Sequence, residues 1–258
     1  MQELAPLLAD GTMASAFDDA QAHFDKADLT DALSRIQSPA DIEGCLPCCR
    51  VSIRKEQNAE RDRVLALAKT AFDAKDSVHV AMMLSLFKAF TGEAMRPDEI
   101  EGPKWERIGF QGSSPGTDLR GAGMIGVLQP LYLARERPAF LAATLAYCPA
   151  EEGKDFPFMI ISLNLSMVSL LVLRSGRLNR LLRVRKPGSI GPTVHTLYCA
   201  LMVACFAAWE QRGLGVEDFG TLRASLEQEA RRRPARLILD FEHEQARLRG
   251  GVGGEARV

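Results

Sequence analysis

The chain has 258 residues, of which 47% are hydrophobic and 25% charged, and its formal net charge is −1. These values are typical of a globular protein with one large domain, and they exclude a largely disordered chain. The near-neutral charge also excludes a general positive field of the kind that draws proteins onto nucleic acid, so no nucleic-acid partner is expected.

The N-terminal residues and the cysteines indicate the compartment. Residues 1–14 lack the basic start of a secretory signal and contain Glu3 and Asp10. Free thiols in a reducing, intracellular setting are therefore expected for the six cysteines, Cys45, Cys48, Cys49, Cys148, Cys199 and Cys205.

Helical periodicity predominates along the first half of the chain. It predicts a polar first helix over residues 14–36, an amphipathic helix over 56–73 and an apolar helix over 77–90. Residues 91–117 are rich in glycine and proline, which predicts a long loop. A loop of about 25 residues inside a compact helical domain is unusual enough to indicate a functional role.

The second half of the chain continues the helical pattern. Helices are predicted from 118 to about 135, over 138–147, over 216–232 and over 234–248, and the tail GGVGGEARV has the composition of a disordered end. Two apolar segments, 156–173 and 193–209, are near the lower length limit for a membrane span and contain polar residues, so both are interpreted as buried core helices. No alternating strand pattern is present, and the predicted fold class is all-α. The predicted organisation is an N-terminal helical extension (1–55), a compact multi-helix domain (56–235) and a C-terminal helix with a flexible tail (236–258).

The segment WERIGFQGSSPGTDLRGAGMIG, residues 105–126, contains the main functional candidates. Thr117 and Asp118 are good N-cap residues, so a helix is predicted to begin there with Arg120 in its first turn. A cation at that position destabilises the helix by roughly a few tenths of a kcal/mol, because it meets the positive end of the helix dipole. This local cost favours a role for Arg120 that faces outward. The alternative is that Arg120 pairs with Asp118 or with a distant carboxylate.

The glycines in GAGMIG (Gly121, Gly123 and Gly126) match a dinucleotide-binding fingerprint. That motif requires a preceding strand and a βαβ unit, neither of which is predicted here. These glycines are instead expected to lie on a helix and to permit close packing of a neighbouring backbone.

Residues 105–121 resemble the signature of the ELMO domain as found in ELMOD proteins, a Trp followed by an aliphatic residue and GFQG, then P-x-T-D-x-R-G. The matching residues are Trp105, Ile108, Gly109, Phe110, Gln111, Gly112, Pro115, Thr117, Asp118, Arg120 and Gly121. Further likeness lies at Tyr132, at Asn164 and at Trp209, and the resemblance covers roughly residues 59–223. Leu119 stands where the family usually has Phe, and Gln129-Pro130 replaces a usual Asn-Leu, where the proline is expected to kink the helix.

The resemblance implies a single all-α ELMO domain that acts on a GTP-bound small GTPase of the Arf family. ELMOD proteins are GTPase-activating proteins for Arf and Arf-like GTPases, and the arginine of their T-D-x-R-G motif, Arg120 here, is needed for that activity. No cofactor, no metal and no substrate pocket of its own are expected. The implied location is cytoplasmic, with peripheral attachment to organelle membranes or at the cilium.

A non-catalytic scaffold or adaptor that binds a small GTPase or an exchange factor is the alternative function. ELMO scaffolds of the Rac-activating type typically lack this arginine and carry additional large domains, so the intact TDLRG favours the catalytic branch.

Roles for the residues around Arg120 remain open at the level of sequence. Gln111 could orient the attacking water, although Arf-family GTPases carry their own glutamine for this, and a role in bonding loop backbone is preferred. Trp105 and Phe110 are interpreted as core anchors rather than GTPase contacts. Asp118 either caps the helix or holds Arg120.

Two further clusters have several interpretations. Cys45, Cys48 and Cys49 include one pair at metal spacing but no second pair, so zinc is disfavoured, and lipidated or free thiols remain. The four histidines are scattered along the sequence without ligand spacing. The second cluster is a basic run with three interpretations: contact with anionic lipid, contact with an acidic face of the GTPase, or a solvated connector between helices. It consists of Arg174, Arg177, Arg180, Arg183, Arg185 and Lys186.

Overall fold

The computed structural model describes residues 13–36, 51–147 and 156–251, excluding the side chains of residues 13–15, 250 and 251. Among these residues there are twelve α-helices and no strand, which confirms the all-α prediction. The first six are α1 (Met13–Lys26), α2 (Thr30–Ser34), α3 (Lys55–Leu67), α4 (Ser77–Thr91), α5 (Pro115–Asp118) and α6 (Ile125–Glu136). The remaining six are α7 (Pro138–Leu145), α8 (Phe158–Arg174), α9 (Asn179–Val184), α10 (Ile190–Arg212), α11 (Phe219–Arg232) and α12 (Pro234–Gly251). Short 3-10 turns lie at Pro97–Glu99, Pro103–Ile108 and Val216–Asp218.

Four helices, α4, α6, α8 and α10, form the centre of the protein. Each is apolar around most of its circumference, which is the pattern of a helix surrounded by protein on all sides. α10 packs against α8, α6 and α12, and α6 packs in turn against α1 and α4. The two apolar segments of nearly membrane-spanning length correspond to α8 and α10, which are core helices, as predicted.

α10 is the one described helix that is long and apolar enough to cross a membrane by length and composition. Its apolar window has a mean hydropathy of 1.5, and 72% of that window is buried inside the protein. This extent of burial is that of a core helix in a compact domain.

The N-termini of α4 and α10 are stabilised by carboxylates from different places in the chain. Asp76 caps α4 locally, because its Oδ1 accepts hydrogen bonds from the backbone N–H groups of Val78 and His79. For α10 the carboxylate comes from α3, where Glu60 accepts from Ile190 N at 2.6 Å. The second contact fixes α3 across the start of the longest core helix.

The single helix predicted over residues 14–36 is wrong, because the chain breaks after Lys26 and restarts at Thr30. Asp28 provides the local reason: its Oδ1 accepts from both N and Oγ1 of Thr30, at 2.9 and 2.6 Å. Arg63 of α3 provides the long-range reason, since its guanidinium donates to the carbonyls of Phe24 and Ala27 at the end of α1. Side-chain hydrogen bonds to helix-end carbonyls compensate for the lost intrahelical partners.

α3 also ends earlier than the predicted residue 73, at Leu67. The backbone N–H of Met124 donates to the carbonyls of Leu67 and Thr70, at 3.1 and 3.0 Å. The chain that follows α3 is therefore shaped by its contact with the segment around Arg120, which periodicity alone could not reveal.

Helices outside the central group pack directly on it. Phe17 of α1 lies edge-on to Tyr132 and His195, with ring centroids 5.1 and 5.5 Å apart. At the other end, α12 is joined to the centre by ion pairs from Arg185 to Glu242 and from Arg137 to Glu244, both 2.8 Å.

Candidate functional site

The loop with the family signature, residues 105–121 (the signature loop), is anchored at its start by aromatic side chains. Trp105 is fully buried, and its Nε1 donates to the carbonyl of Ile100 at 2.8 Å. Its ring meets those of Phe87 and Phe110 edge-on, at 5.4 and 5.5 Å. The interpretation of Trp105 and Phe110 as core anchors is confirmed, and Ile108 is buried beside them.

Gly109 brings the signature loop into backbone contact with the start of α8. Its φ is +88°, and a Cβ at this position would lie 2.6 Å from the carbonyl carbon of Pro157. Its own carbonyl accepts a hydrogen bond from Ile160 N at 3.0 Å. Both the positive φ and the close approach require glycine, so this match to the signature has a structural cause.

Asp118 closes the middle of the signature loop. Its Oδ2 accepts a 2.7 Å hydrogen bond from the backbone N–H of Gln111. It is the last residue of α5, so neither of the two roles considered for it, capping a following helix or holding Arg120, is observed. Gln111 is tied through its backbone, while its side chain is exposed and has no hydrogen-bond partner among the described residues; the expected side-chain role is not observed.

The remaining signature residues between positions 112 and 117 shape the short helix α5. Pro115 is buried at its first position, where its missing N–H costs nothing. Thr117 is exposed, and its Oγ1 donates to the Ser114 carbonyl at 2.8 Å. A Cβ at Gly116 would meet the ring of Phe72 at 2.9 Å, whereas Gly112 has open space around it.

Arg120 does not lie in the first turn of a helix, contrary to the prediction. It follows the four-residue α5, and the chain then turns through residues 119–124 (the arginine turn) before α6 starts at Ile125. The argument from an unfavourable helix dipole is therefore wrong. Arg120 is exposed, and its guanidinium forms no hydrogen bond or ion pair with any residue that the structure describes, Asp118 included.

The arginine turn is fixed by buried neighbours and by backbone contacts with the end of α3. Leu119 and Ala122 on either side of the arginine are each only 1% exposed. Gly123 has φ +57°, and a Cβ there would lie 2.5 Å from the Leu67 carbonyl oxygen. The Met124 N–H completes the attachment through its bonds to the end of α3. A solvent-facing guanidinium with no partner among the described residues thus lies on a backbone that buried neighbours fix in place.

The glycines of GAGMIG serve packing, but the prediction holds only in part, since only Gly126 lies in a helix and only Gly123 meets a neighbouring backbone. A Cβ at Gly126 would be 2.6 Å from the Leu163 side chain, and one at Gly121 would be 3.0 Å from Sδ of Met167. Among the described residues no strand precedes this segment, so the dinucleotide-binding arrangement is absent there. Pro130 lies inside α6, which continues to Glu136.

A small cleft of about 210 Å³ opens beside Arg120. Its wall includes the side chains of Arg35 and Lys69, both exposed, and the ring of Phe72. The surroundings of Arg120 are therefore positively charged, which suits the approach of phosphate or carboxylate groups.

The basic run does not act as one patch. Arg185 is committed to Glu242 on α12 and also donates to Oγ1 of Thr193 at 3.2 Å. Arg174 is partly buried at the end of α8. The four members that remain exposed are Arg177, Arg180, Arg183 and Lys186.

The fold brings two histidines together that appeared scattered in the sequence. His23 of α1, His79 of α4 and Asp76 have ligand-type atoms within 4.8 Å of one another. His79 Nδ1, however, accepts a hydrogen bond from the backbone N–H of Asp73 at 3.1 Å, so in the neutral ring Nε2 carries the proton. Metal-bound histidines show the opposite arrangement, with the second nitrogen donating. The cluster could hold a metal ion only if this hydrogen bond were given up.

The cysteines divide into two groups. Cys45, Cys48, Cys49 and Cys148 lie outside the described residues. Cys199 and Cys205 are free and buried, and burial raises the pKa of Cys199 well above its usual range and that of Cys205 to about 12. Neither is suited to act as a nucleophile, because the thiolate is the reactive form.

The fold and the signature loop together define an all-helical domain that presents one arginine on a buttressed turn. A profile of the ELMO/CED-12 family matches residues 62–223 of the chain. The chain belongs to the ELMO/CED-12 family.

Similar curated proteins carry the name of this domain. The chain is 28% identical over 233 residues to ELMO domain-containing protein 3 of Bos taurus, an alignment that covers 88% of the chain and 60% of that protein. It is 29% identical to the protein of the same name from Mus musculus (92% of the chain, 63% of that protein). For ELMO domain-containing protein 2 of Mus musculus, identity is 26% (64% of the chain, 56% of that protein). The chain thus spans about 60% of the length of the curated relatives it matches first. No solved structure matches it.

Proposed function

We propose that the chain is a GTPase-activating protein for an Arf or Arf-like small GTPase and that Arg120 supplies the arginine in trans. The observation that carries the proposal is the state of Arg120, an exposed guanidinium without a partner among the described residues, on a turn fixed by buried neighbours. A finger that must enter another protein's active site has to be unpaired and well positioned beforehand. Membership of the ELMO/CED-12 family supports the proposal.

The chemistry explains why an arginine is suitable. Attack of water on the γ-phosphorus of GTP increases negative charge on the phosphate oxygens in the transition state. A guanidinium in their plane donates two parallel hydrogen bonds, and an arginine delivered in trans typically accelerates hydrolysis by about 10³–10⁵-fold. Because Arg120 has no ion pair to break within the described part of the chain, its transfer to the GTPase costs mainly its hydration and its side-chain entropy.

The signature residues divide into those that shape the loop and those that can reach a partner. Trp105, Ile108, Phe110 and Pro115 are buried, so their contribution is to position the loop. Gln111, Thr117, Arg120 and Gly121 are exposed and are the ones available to contact the GTPase. Hydrolysis-assisting chemistry is assigned to Arg120 alone.

Stimulated GTP hydrolysis by a panel of GTP-loaded Arf and Arf-like proteins tests the proposal. Phosphate release should rise for at least one member, and Arg120→Ala and Arg120→Lys should each reduce the stimulated rate at least about 10²-fold. Lysine should fail nearly as fully as alanine because the guanidinium geometry, not the charge alone, is needed. The melting temperature of both variants should stay within error of the wild type, since Arg120 is exposed and has no partner among the residues that the structure describes.

Trp105→Ala is the structural control, and it should lose activity together with stability by opening the core, at a cost of roughly 3–5 kcal/mol. Full activity of Arg120→Ala would show that Arg120 is not the finger. Binding of a panel member with no stimulated hydrolysis in the wild type would instead assign the domain a scaffold role.

A further inference from the structure

A second depression, the α8 groove, lies directly beside the arginine turn. It has a volume of about 360 Å³ and runs between the end of α2, the end of α3, the exposed side of α8 and α11. Gly121 of the arginine turn forms part of its wall. Nothing in the function assigned to Arg120 accounts for this groove.

The floor of the α8 groove is apolar. Met167 projects from α8 with 46% of its surface exposed, and Leu171 and Ile36 beside it are only partly buried. A large apolar side chain left half exposed in a concave surface gains free energy when another protein covers it. Methionine is also the apolar side chain that adapts most readily to the shape of a partner.

The rim of the α8 groove is positively charged. Four cations line it, Arg35, Lys69, Arg174 and Arg223, against one carboxylate, Glu227. That carboxylate is already shared by Arg223 at 3.7 Å and Arg231 at 3.4 Å.

Arg174 has an unsatisfied donor at this rim. Its Nε–H is buried and has no hydrogen-bond acceptor among the described residues. A partner's carboxylate cannot reach this shielded Nε–H, so the rim attracts it through the excess of four cations over one carboxylate instead. The rim therefore favours an acidic partner over a basic or neutral one.

The α8 groove and the cleft around Arg120 form one continuous surface. Arg35, Ala68 and Lys69 line both. Gly121, the residue after Arg120, lies close to Met167. A Cβ added to Gly121 would be 3.0 Å from Sδ of Met167. A globular partner that receives Arg120 into its active site must lie over the groove as well, because a specific interface typically covers about 800 Å² on each side.

We propose that the α8 groove is the docking half of the GTPase-binding surface and takes a segment of the GTPase that carries an exposed apolar side chain flanked by carboxylates. This inference rests on the proposed function. Arg120 supplies the rate and the groove supplies the affinity, so the two contributions can be separated by kinetics. Met167 fills the centre of the contact, and Lys69 and Arg174 pair with the flanking carboxylates.

The experiment measures stimulated hydrolysis against the concentration of the GTP-loaded panel member that responds best to the wild type. Met167→Glu places a charge in the apolar centre and should raise KM at least about tenfold while kcat stays within about twofold. Arg174→Glu should raise KM to a similar degree and weaken its dependence on salt between about 50 and 200 mM. Arg120→Ala should show the converse, with kcat lost and KM retained.

Matched controls separate docking from folding and from net charge. Leu239→Glu changes an apolar residue of comparable exposure, 42%, on α12, and Arg212→Glu reverses an exposed charge at the end of α10; both should leave KM unchanged. Melting temperatures of Met167→Glu and Leu239→Glu should match the wild type, because both replaced side chains are exposed, and those of Arg174→Glu and Arg212→Glu should fall only slightly, because each places a carboxylate at the C-terminal end of a helix.

Unchanged KM in both Met167→Glu and Arg174→Glu overturns the docking assignment but leaves the role of Arg120 intact if Arg120→Ala is inactive. Loss of a homodimer in Met167→Glu at unchanged KM would assign the groove to a second copy of the chain and also overturns it. A response by no panel member removes the proposed function and this inference together.

Discussion

Gly109 shows at the scale of one residue how closely the signature loop packs against the start of α8. Its φ of +88° is one that side-chain-bearing residues rarely adopt, and the backbone of Pro157 and Phe158 occupies the space a Cβ would need. Gly92, at the end of α4, has a similar φ of +72° but nothing within 4 Å of its Cβ position. Substitutions at Gly92 and Gly109 therefore separate the cost of backbone strain from the cost of close packing.

Gly92→Ala is expected to cost about 1 kcal/mol of unfolding free energy, from strain at positive φ alone. Gly109→Ala is expected to cost roughly 3 kcal/mol or more, because the loop must also move away from α8. Urea unfolding of the two variants measures the difference. Equal losses would mean that α8 yields easily and that the contact does not fix the loop.

The residues of the candidate site show what sequence could and could not predict. Burial of Trp105 and Phe110 follows from their size and apolar character, and Arg120 follows from the match to a known pattern. The placement of Arg120 on a turn does not, because it depends on bonds from Met124 N to Leu67 and Thr70, more than fifty residues away in sequence. The meeting of His23 with His79 is hidden from sequence in the same way.

At the scale of the element, the helices that periodicity predicted well are those with the strongest local signals. α4 has a capping aspartate before it and a glycine in the left-handed conformation after it, and its predicted bounds differ from the observed ones by one residue. α1 and α3 ended early because side chains and backbone groups from distant parts of the chain compete for their last carbonyls. Local periodicity contains no information about such competitors.

The connector between α8 and α10, which contains α9, holds the exposed basic residues on which contact with anionic lipid can be tested. Arg177 and Arg180 are exposed, whereas Arg185 is withdrawn into an ion pair with Glu242. Reversing Arg177 and Arg180 to Glu should weaken sedimentation with vesicles that contain anionic lipid, more strongly at low salt, because each basic residue near such a surface contributes about 1 kcal/mol. Stimulated hydrolysis in solution without vesicles should be unaffected.

The control for this prediction reverses Lys75 and Arg212, two exposed cations on other elements, and so makes the same change in net charge. Equal weakening in both double variants would indicate a general charge effect. Absence of vesicle binding by the wild type would leave the connector as a solvated link between α8 and α10.

At the scale of the whole molecule, buried histidines make stability depend on pH. His195 of α10 is 3% exposed between the rings of Phe17 and Tyr132, and burial, helped by Arg135, lowers its pKa to about 3. Burial also lowers the pKa of His79. Below the ordinary histidine pKa of about 6.5, the unfolded chain binds protons that the folded chain does not, so stability falls as pH decreases.

The unfolding free energy should therefore fall between pH 7 and pH 5, by up to about 1.4 kcal/mol per pH unit for each histidine kept neutral. His195→Phe preserves a ring between Phe17 and Tyr132. The unfolding free energy of this variant should depend less steeply on pH, by the amount that corresponds to nearly one bound proton. Urea unfolding at several pH values measures both slopes. Parallel curves for the two proteins would show that His195 is protonated as readily in the folded state as in the unfolded one.

The two tryptophans of this chain sit at separate places in the core, and this gives the domain a pair of built-in optical reporters. Trp105 lies under the loop that ends in Arg120, with its indole N–H bonded to Ile100, whereas Trp209 lies among Phe156 and Phe219 at the far end of α10. Replacing Trp209 with Phe leaves a single tryptophan, at the base of the signature loop, which can be excited selectively over the three tyrosines. Its emission wavelength then reports on the hydration of that one location, so a change at the base of the loop on addition of a GTP-loaded small GTPase can be detected without attaching a dye.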